Sequence, residues 1–354
     1  MPVKIESDIR APMGRVLDVA RIGGMQVAEC HCLPVWYKGD IHGLHTTDAR
    51  ALDGDVGCML LSPLSDKTHL FPVIRQSPFD ILSFGGTCDM NDTSAYRSAE
   101  LAALYDAVYA NGADIAFWQV MAAAVSGGLL ELGCGTGRVL LPLARAGHEI
   151  TGLDLAAPML ARCRAKLQAE PPEVRDRVTL LEADMTSFDL DRRFAQIYCA
   201  FGTFHHLRTV EQQLACLARC RHHLLPQGTL ILDLINPDPA PDSVNDDAPA
   251  VGETAAGIVD WTDGRRIRSW ATMLDYHRSL QCNDCEVTYE IIEADGTTRR
   301  LTETFPMRLV YRYELEHLLA RCGFRIVALY GDYDHSAFSD ESLGMIVVAE
   351  PTGD

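Results

Sequence analysis

Three glycines at alternate positions, Gly133, Gly135 and Gly137, stand where the stretch LLELGCGTGR turns from an apolar run into polar sequence. That pattern binds ligands with backbone. Leu129, Leu130 and Leu132 make the short apolar run that a buried parallel strand needs. The glycines strip side chains from a turn where the chain must approach something closely, and the helix that follows presents unpaired N–H groups. About twenty residues on, a second apolar run, EITGLD, ends in Asp154, whose carboxylate is placed to accept both hydroxyls of a ribose. This is the general scheme of a nucleotide site. A dinucleotide fingerprint wants G-x-G-x-x-G, and the sixth position here is Arg138, so the loop reads G-x-G-x-G.

That spacing resembles the class I S-adenosylmethionine-dependent methyltransferases, whose first motif is an acidic residue followed by G-x-G-x-G. The resemblance continues in order through TGLDLAAPML, VTLLEADMTSFDL, FAQIYCAFGTFHHL, HHLLPQGTLILDLINP, YRYELEHLLARCGF, RIVALYGDYD and SLGMIVVAE, roughly from Leu101 to Glu350. It implies S-adenosylmethionine as cofactor and S-adenosylhomocysteine as product. It also implies that Gly133, Gly135, Asp154, Leu155, Met159, Asp184 and Met185 hold the cofactor, with Asp154 on the ribose. Asp184 would accept from the adenine amino group, and Met185 would donate its backbone N–H. Taken alone, Asp184 reads equally as a cap for the segment after it.

Methyl transfer requires in-line alignment, exclusion of water and a free lone pair on the acceptor. A base helps when the acceptor is a phenol, an ammonium or an activated aromatic carbon. His205 and His206 follow the fourth motif and are the expected catalytic pair, although adjacent residues point apart and only one should reach the acceptor. In the family the helix before the core closes over the donor. Here that helix carries Tyr105, expected at the cofactor, and Tyr109, four residues on, expected at the substrate. Phe201 is assigned to the cofactor and Trp118 and Phe204 to the substrate. Asn236, at the end of the fifth strand, and Arg308 are the polar groups expected to orient an acceptor, Arg308 suiting a carboxylate. The implied acceptor is therefore a small metabolite methylated on O, N or C, an aromatic or amino-acid-like acid of secondary metabolism among the choices. A methyltransferase-like binding module, or a protein methyltransferase acting through its N-terminal block, is the alternative.

The elements that must position these residues fall into blocks. The fold class is α/β: a Rossmann-like seven-stranded methyltransferase core, an inserted antiparallel sheet and a small β-rich N-terminal block. Residues 1–93 mix short β-like runs with Gly, Pro and Asp, and are expected to serve as a dimer contact, a cover over the site or a partner surface. Residues 94–354 form the cofactor-binding domain, with an antiparallel sheet at 255–311 that turns on a central Asp-Gly and lies over the acceptor pocket. Asn236 to Thr254, rich in Pro and Asp, reads as an irregular crossing.

Composition narrows the function classes. The chain has 354 residues, with 31 Lys and Arg against 49 Asp and Glu, a formal net charge of −18. Such a balance speaks against nucleic acid as partner, because phosphate binding needs clustered cations. No run reaches the length of a membrane span and the N-terminus lacks the apolar core of a signal peptide, so a cytoplasmic protein is expected. The 12 cysteines read as reduced core residues, not a disulfide framework. Cys30, Cys32, His42 and His45 offer enough donors for zinc but match no standard finger, and no metal is expected.

Overall fold

The computed structural model describes residues 98–109, 112–237 and 256–353, together with four strands of two or three residues nearer the N-terminus. The chain divides into two compact units, Met1–Gly86 and Thr87–Asp354. In the first, β1 (Ile5–Glu6) pairs antiparallel with β2 (Val19–Ala20), and β3 (Gly24–Gln26) with β4 (Lys38–Gly39). The rest of the block expected over 1–93, including Cys30, Cys32, His42 and His45, lies outside the described residues.

The second unit is built on a seven-stranded sheet of order β14-β15-β9-β8-β5-β6-β7. Its parallel strands are β5 (Leu129–Leu132), β6 (Ile150–Asp154), β7 (Val178–Glu182), β8 (Phe194–Cys199) and β9 (Leu224–Ile235). β14 (Phe324–Tyr330) and β15 (Gly344–Pro351) close the edge as antiparallel strands, the hairpin expected from the last two motifs. This is a Rossmann-like α/β sheet. Every residue of β5 and of β8 is buried, as strands covered on both faces must be.

Alternation along the strands splits the core between two faces. Leu130, Leu132, Ile197 and Leu232 point to one, where they meet Cys216, Leu217 and Cys220 of α6 (Val210–His223) and Leu315, Leu318 and Leu319 of α7 (Arg312–Arg321). Leu129, Tyr198 and Ile231 point to the other, against α2 (Ile115–Ala123), α3 (Leu140–Arg145), α4 (Ala157–Gln168) and, through Val174, α5 (Pro172–Arg175). Helix α6 starts on a capping box, Thr209 accepting from the Gln212 N–H while the Gln212 side chain accepts from the Thr209 N–H. None of the described helices is long and apolar enough to cross a membrane. The eight cysteines among the described residues are free thiols; Cys134, Cys199, Cys216 and Cys220 lie in the core and Cys322 packs against it, half-buried, where apolar sequence placed them.

Above this core lies a separate antiparallel sheet, β10 (Ala256–Asp260), β11 (Arg266–His277), β12 (Cys282–Ile292) and β13 (Thr298–Arg308), in that order. The Asp295-Gly296 turn between its last two strands is held by Asp295 Oδ1, which accepts from the Thr297 N–H at 2.9 Å. One face packs Ile267, Val287, Tyr289 and Ile291 onto Leu104 of α1 (Ala99–Val108). Helix α1 is thus sandwiched between roof and core.

Two glycines answer to specific constraints. Gly133 has φ +66°, and a Cβ there would lie 2.3 Å from Thr203 Cγ2. At Gly135, φ +54°, a Cβ would point at the Met159 methyl 3.3 Å away, into the space above the strand ends. Replacing Gly133 by alanine should therefore lower stability by about 2 kcal/mol, from strain and overpacking together. Adding Thr203→Ser, which removes the clashing methyl, should recover part of it. Urea unfolding of the single and double variants reads this directly, and a Gly133→Ala protein as stable as the parent would refute the close approach.

Candidate active site

The strand order reverses across β5 and β8, and in open α/β sheets the crevice outside the carboxyl ends at such a switch point is where ligands bind. A cavity of about 220 Å³ opens there. The loops after β5, β6, β7 and β8 wall it, α1 contributes Tyr105, and Phe305 and Pro306 of β13 form its roof.

On the β6 side the controlling group is Asp154. Its Oδ2 accepts from the Gly135 N–H at 2.6 Å and its Oδ1 from the Ala156 N–H at 2.7 Å. Burial pushes its pKa up, and the N–H groups of Ala156, Gly135 and Leu155 pull it back. Each oxygen keeps lone pairs for further donors. Leu155 and Met159 line the cavity beside it, as do Asp184 and Met185 after β7. Asp184 Oδ1 accepts from both the N–H and the hydroxyl of Thr186, 2.7 and 2.8 Å away. Capping the turn therefore occupies one oxygen of Asp184, so the cap and the ligand role are compatible.

Helix α1 is held over this region by Asp106. It accepts from Thr136 Oγ1 of the glycine loop at 2.5 Å and pairs with Arg162 and Lys166 of α4. That hub fixes Tyr105, whose phenol burial pushes up to about 12 while Arg138 lowers it. Tyr109 lies tilted against Tyr105 with centroids 4.8 Å apart and edge-on to Phe201 at 5.2 Å, one layer back from the cavity. Phe201 itself lines the cavity. It sits at φ +54°, held by the Asp233 carboxylate, which accepts its N–H at 2.7 Å and the Tyr333 hydroxyl at 3.0 Å. Burial lifts Asp233 to about 6 against those two bonds.

The histidines separate. His205 is fully buried, its Nδ1 donating to the Arg308 carbonyl at 2.6 Å and its Nε2 accepting from the Ile235 N–H at 2.9 Å. Both ring nitrogens are spent on backbone, so the base expected at His205 is corrected to a structural clamp. His206 lines the cavity, its ring 5.4 Å from Phe305, and it makes no hydrogen bond to a described residue. Burial pushes it down to about 4, with the charge of Arg208 adding to the effect. It is neutral at physiological pH.

Four substrate assignments are corrected by the same kind of observation. Trp118 is fully buried, donating from its ring to Asp114 at 2.9 Å and tilted against Tyr198. Phe204 points the other way, into the core beneath the sheet. The Asn236 amide donates to the Ser342 carbonyl at 2.8 Å and joins strand ends. Arg308 is buried and paired with Glu314 at 2.7 Å, so it has no cavity face for a carboxylate.

Several cavity residues escaped sequence reasoning. Arg138, in sequence only the residue that breaks the dinucleotide pattern, lines the cavity, forks onto Asp114 at 2.5 and 2.9 Å and lies over the Phe201 ring at 4.8 Å. A cation one step past the glycines was the available signal. Glu131, the acid of the first motif, also lines the cavity. Burial raises it to about 8, opposed by the Tyr198 hydroxyl at 3.0 Å. Thr203, Arg208, Gln212, Phe305 and Pro306 complete the wall, and nothing local in the sequence marks them.

Comparison with known proteins agrees with this geometry. Residues 129–228 match the family model described as a methyltransferase domain. A dTDP-3-amino-3,6-dideoxy-alpha-D-glucopyranose N,N-dimethyltransferase of Streptomyces fradiae is 33% identical over 38% of this chain and 53% of its own length. A dTDP-3-amino-3,4,6-trideoxy-alpha-D-glucopyranose N,N-dimethyltransferase of Streptomyces venezuelae is 27% identical over 57% of this chain and 77% of its own. The chain thus spans about half the length of the first of these. Among solved structures, an S-adenosylmethionine-bound amino pentose methyltransferase of Micromonospora echinaspora, involved in calicheamicin biosynthesis, superposes with a TM-score of 0.51 at 25% identity over 70% of this chain and 97% of that one. DesVI of Streptomyces venezuelae, at 23% identity, shares the fold with a TM-score of 0.57 over 71% and 98%.

The two histidines predict opposite phenotypes. His205→Ala strands a buried carbonyl and a buried N–H, and should cost about 2–4 kcal/mol in urea unfolding. His206→Ala breaks no bond and should cost well under half as much. Equal losses would overturn the division.

Proposed function

We propose that the chain is a class I S-adenosylmethionine-dependent methyltransferase that methylates the amino nitrogen of a small-molecule acceptor of the amino-sugar class, a reading supported by the methyltransferase-domain match and by the relatives that act on amino sugars. Bound S-adenosylmethionine supplies an electrophilic methyl on a sulfonium. The donor side of the cavity fits that group. Gly135 leaves a backbone cradle that a Cβ would fill, and the buried Asp154 carboxylate gains from hydroxyl donors what burial takes away. Asp184 keeps its Oδ2 for an amino donor while Oδ1 caps its own turn. Tyr105 and Phe201 cover this half.

Acceptor chemistry is read from His206. Its neutral imidazole faces the same cavity as Asp154 and Asp184, and this observation carries the proposal. An amine must present its lone pair, and a neutral ring nitrogen can hold an N–H of that amine by accepting a hydrogen bond, orienting it before transfer; the methylated product leaves with its proton. The acid-acceptor reading has lost its arginine, since Arg308 is paired with Glu314. Phe305 and Pro306 roof the cavity, which favours a small acceptor over a protein side chain. The amino-sugar substrates named for two relatives support a place in secondary metabolism.

Two measurements test this. Calorimetric titration with S-adenosylmethionine and S-adenosylhomocysteine should show binding to both, and Asp154→Ala should weaken it by about tenfold or more while the fold persists. No heat with either ligand would sink the enzyme reading. Label transfer from methyl-labelled cofactor should reach dTDP-3-amino-3,6-dideoxy-alpha-D-glucopyranose in preference to hydroxyl and carboxyl compounds. His206→Ala should then lower kcat by about 10²-fold, with cofactor affinity within a few-fold of the parent. An unchanged kcat would remove His206 from the reaction.

A further inference from the structure

Arg138 is a cation on the cavity wall to which methyl transfer has so far given no task. Its side chain is only 10% exposed, yet it lines the cavity. A guanidinium carries five N–H donors and no acceptor. Asp114 takes one from each terminal nitrogen, at 2.5 and 2.9 Å, and the Tyr105 phenol takes another. Donors therefore remain on a side chain that forms part of the wall. Packing gives little reason for the arrangement, because a buried ion pair is often no more stabilising than apolar side chains of the same size.

The guanidinium is nevertheless held with care. Asp114 is itself buried, and its Oδ2 also accepts the Trp118 ring N–H at 2.9 Å. A Cβ at Gly112 would collide with both Arg138 Nη1 and Asp114 Oδ1, so the chain entering α2 closes directly against the pair. The Phe201 ring lies 4.8 Å from the guanidinium carbon. Strand order then says which part of a ligand would meet it. The sheet runs β8-β5-β6-β7. On the methyl-transfer reading Asp184, after β7, faces the adenine and Asp154, after β6, the ribose. A cofactor extended along the strand ends therefore lays its methionine portion over β5 and β8, where Glu131, Gly133, Arg138 and Phe201 form the wall. Of the two arginines in the lining, Arg138 follows the glycine loop at this end, whereas Arg208 lies beyond the Thr203–His206 turn.

We propose that Arg138 is a further cofactor-binding residue, receiving the carboxylate of the methionine portion of S-adenosylmethionine with the N–H donors that Asp114 and Tyr105 leave. This rests on the methyl-transfer reading above and deepens it. Arginine suits a planar carboxylate because its donors are fixed in a fork, and such charge-assisted bonds are strong where water is scarce. Asp114 need not be displaced. The cofactor brings its own ammonium and sulfonium, so a second carboxylate beside the guanidinium adds no net negative charge to the site.

Calorimetric titration with S-adenosylmethionine and with its decarboxylated form isolates the contact, because the two ligands differ by that one carboxylate. The parent should bind S-adenosylmethionine about tenfold or more tightly than the decarboxylated ligand. Arg138→Met alone would leave Asp114 buried without its cation, so it is made together with Asp114→Asn. In that double variant the preference should shrink to within about threefold, through lost affinity for S-adenosylmethionine, while affinity for the decarboxylated ligand stays within about threefold of the parent's. If the double variant does not fold, Arg138→Lys carries the same comparison. It keeps a cation but loses the fork, and should lower the preference by about threefold or more. An unchanged preference in the folded variant, or equal falls in affinity for both ligands, would overturn the inference. So would a parent that binds the two ligands equally well. A parent that binds neither overturns the methyl-transfer reading itself, and the two failures are thereby told apart.

Discussion

The carboxylate of Asp154 spans two loops, and the site is shaped around that span. With Gly135 N–H on one oxygen and Ala156 N–H on the other, it ties the exit of β5 to the exit of β6 at 2.6 and 2.7 Å. A main-chain bond from Cys134 N–H to the Leu153 carbonyl, 2.8 Å, runs alongside. The start of α4 adds a favourable dipole for an anion. Burying a carboxylate is costly unless donors surround it, and here the glycine loop supplies them by coming close. That is why the loop needs positive φ at Gly133 and Gly135, and why Thr203 and Met159 can press against it. Once the loop is fixed, Thr136 is positioned for Asp106, and Asp106 lays α1 across the cavity.

The cover depends on the core through a second set of backbone bonds. His205 joins the end of β13 to the end of β9 by spending both ring nitrogens on main chain. Its neighbour His206 is released from that duty. The two lie on one 3-10 turn, Thr203–His206, where successive side chains diverge by about a third of a turn. One therefore anchors the roof and the other faces what the roof encloses. Phe201 and Gly202, just before, both adopt positive φ, and Asp233 holds the pair with its carboxylate on one N–H and its carbonyl on the other.

Legibility divides along the same line. The donor half was readable because its residues follow strands at short fixed spacings, so local pattern alone brings Gly133, Gly135, Asp154 and Asp184 to one edge. The seven-stranded sheet, the roof and its Asp-Gly turn were readable for the same reason. The acceptor half was not. Which of two adjacent histidines faces the cavity is set by the direction of a single turn, and that direction is fixed by Arg308, about a hundred residues downstream. Trp118 and Arg308 read as available because their partners, the buried Asp114 and the half-buried Glu314, cannot be told from surface acids in sequence. Phe305 and Pro306 reach the site only because β13 happens to end above β8's loop, a fact of register with no motif.

Burial also sets the charge state inside. It moves His206 down to about 4, Glu131 up to about 8 and Tyr105 up to about 12. All three shifts favour the neutral form at those positions, whereas Arg138 on the same wall is kept charged by its pairing with Asp114. An ammonium group would face the same penalty that holds His206 neutral. On the proposed reaction an amine is therefore favoured in its free-base form, the only form with a lone pair to give. The same desolvation leaves the His206 nitrogen able to accept one of the amine's hydrogens, so on the proposed reaction acceptor and orienting group are both kept competent by burial.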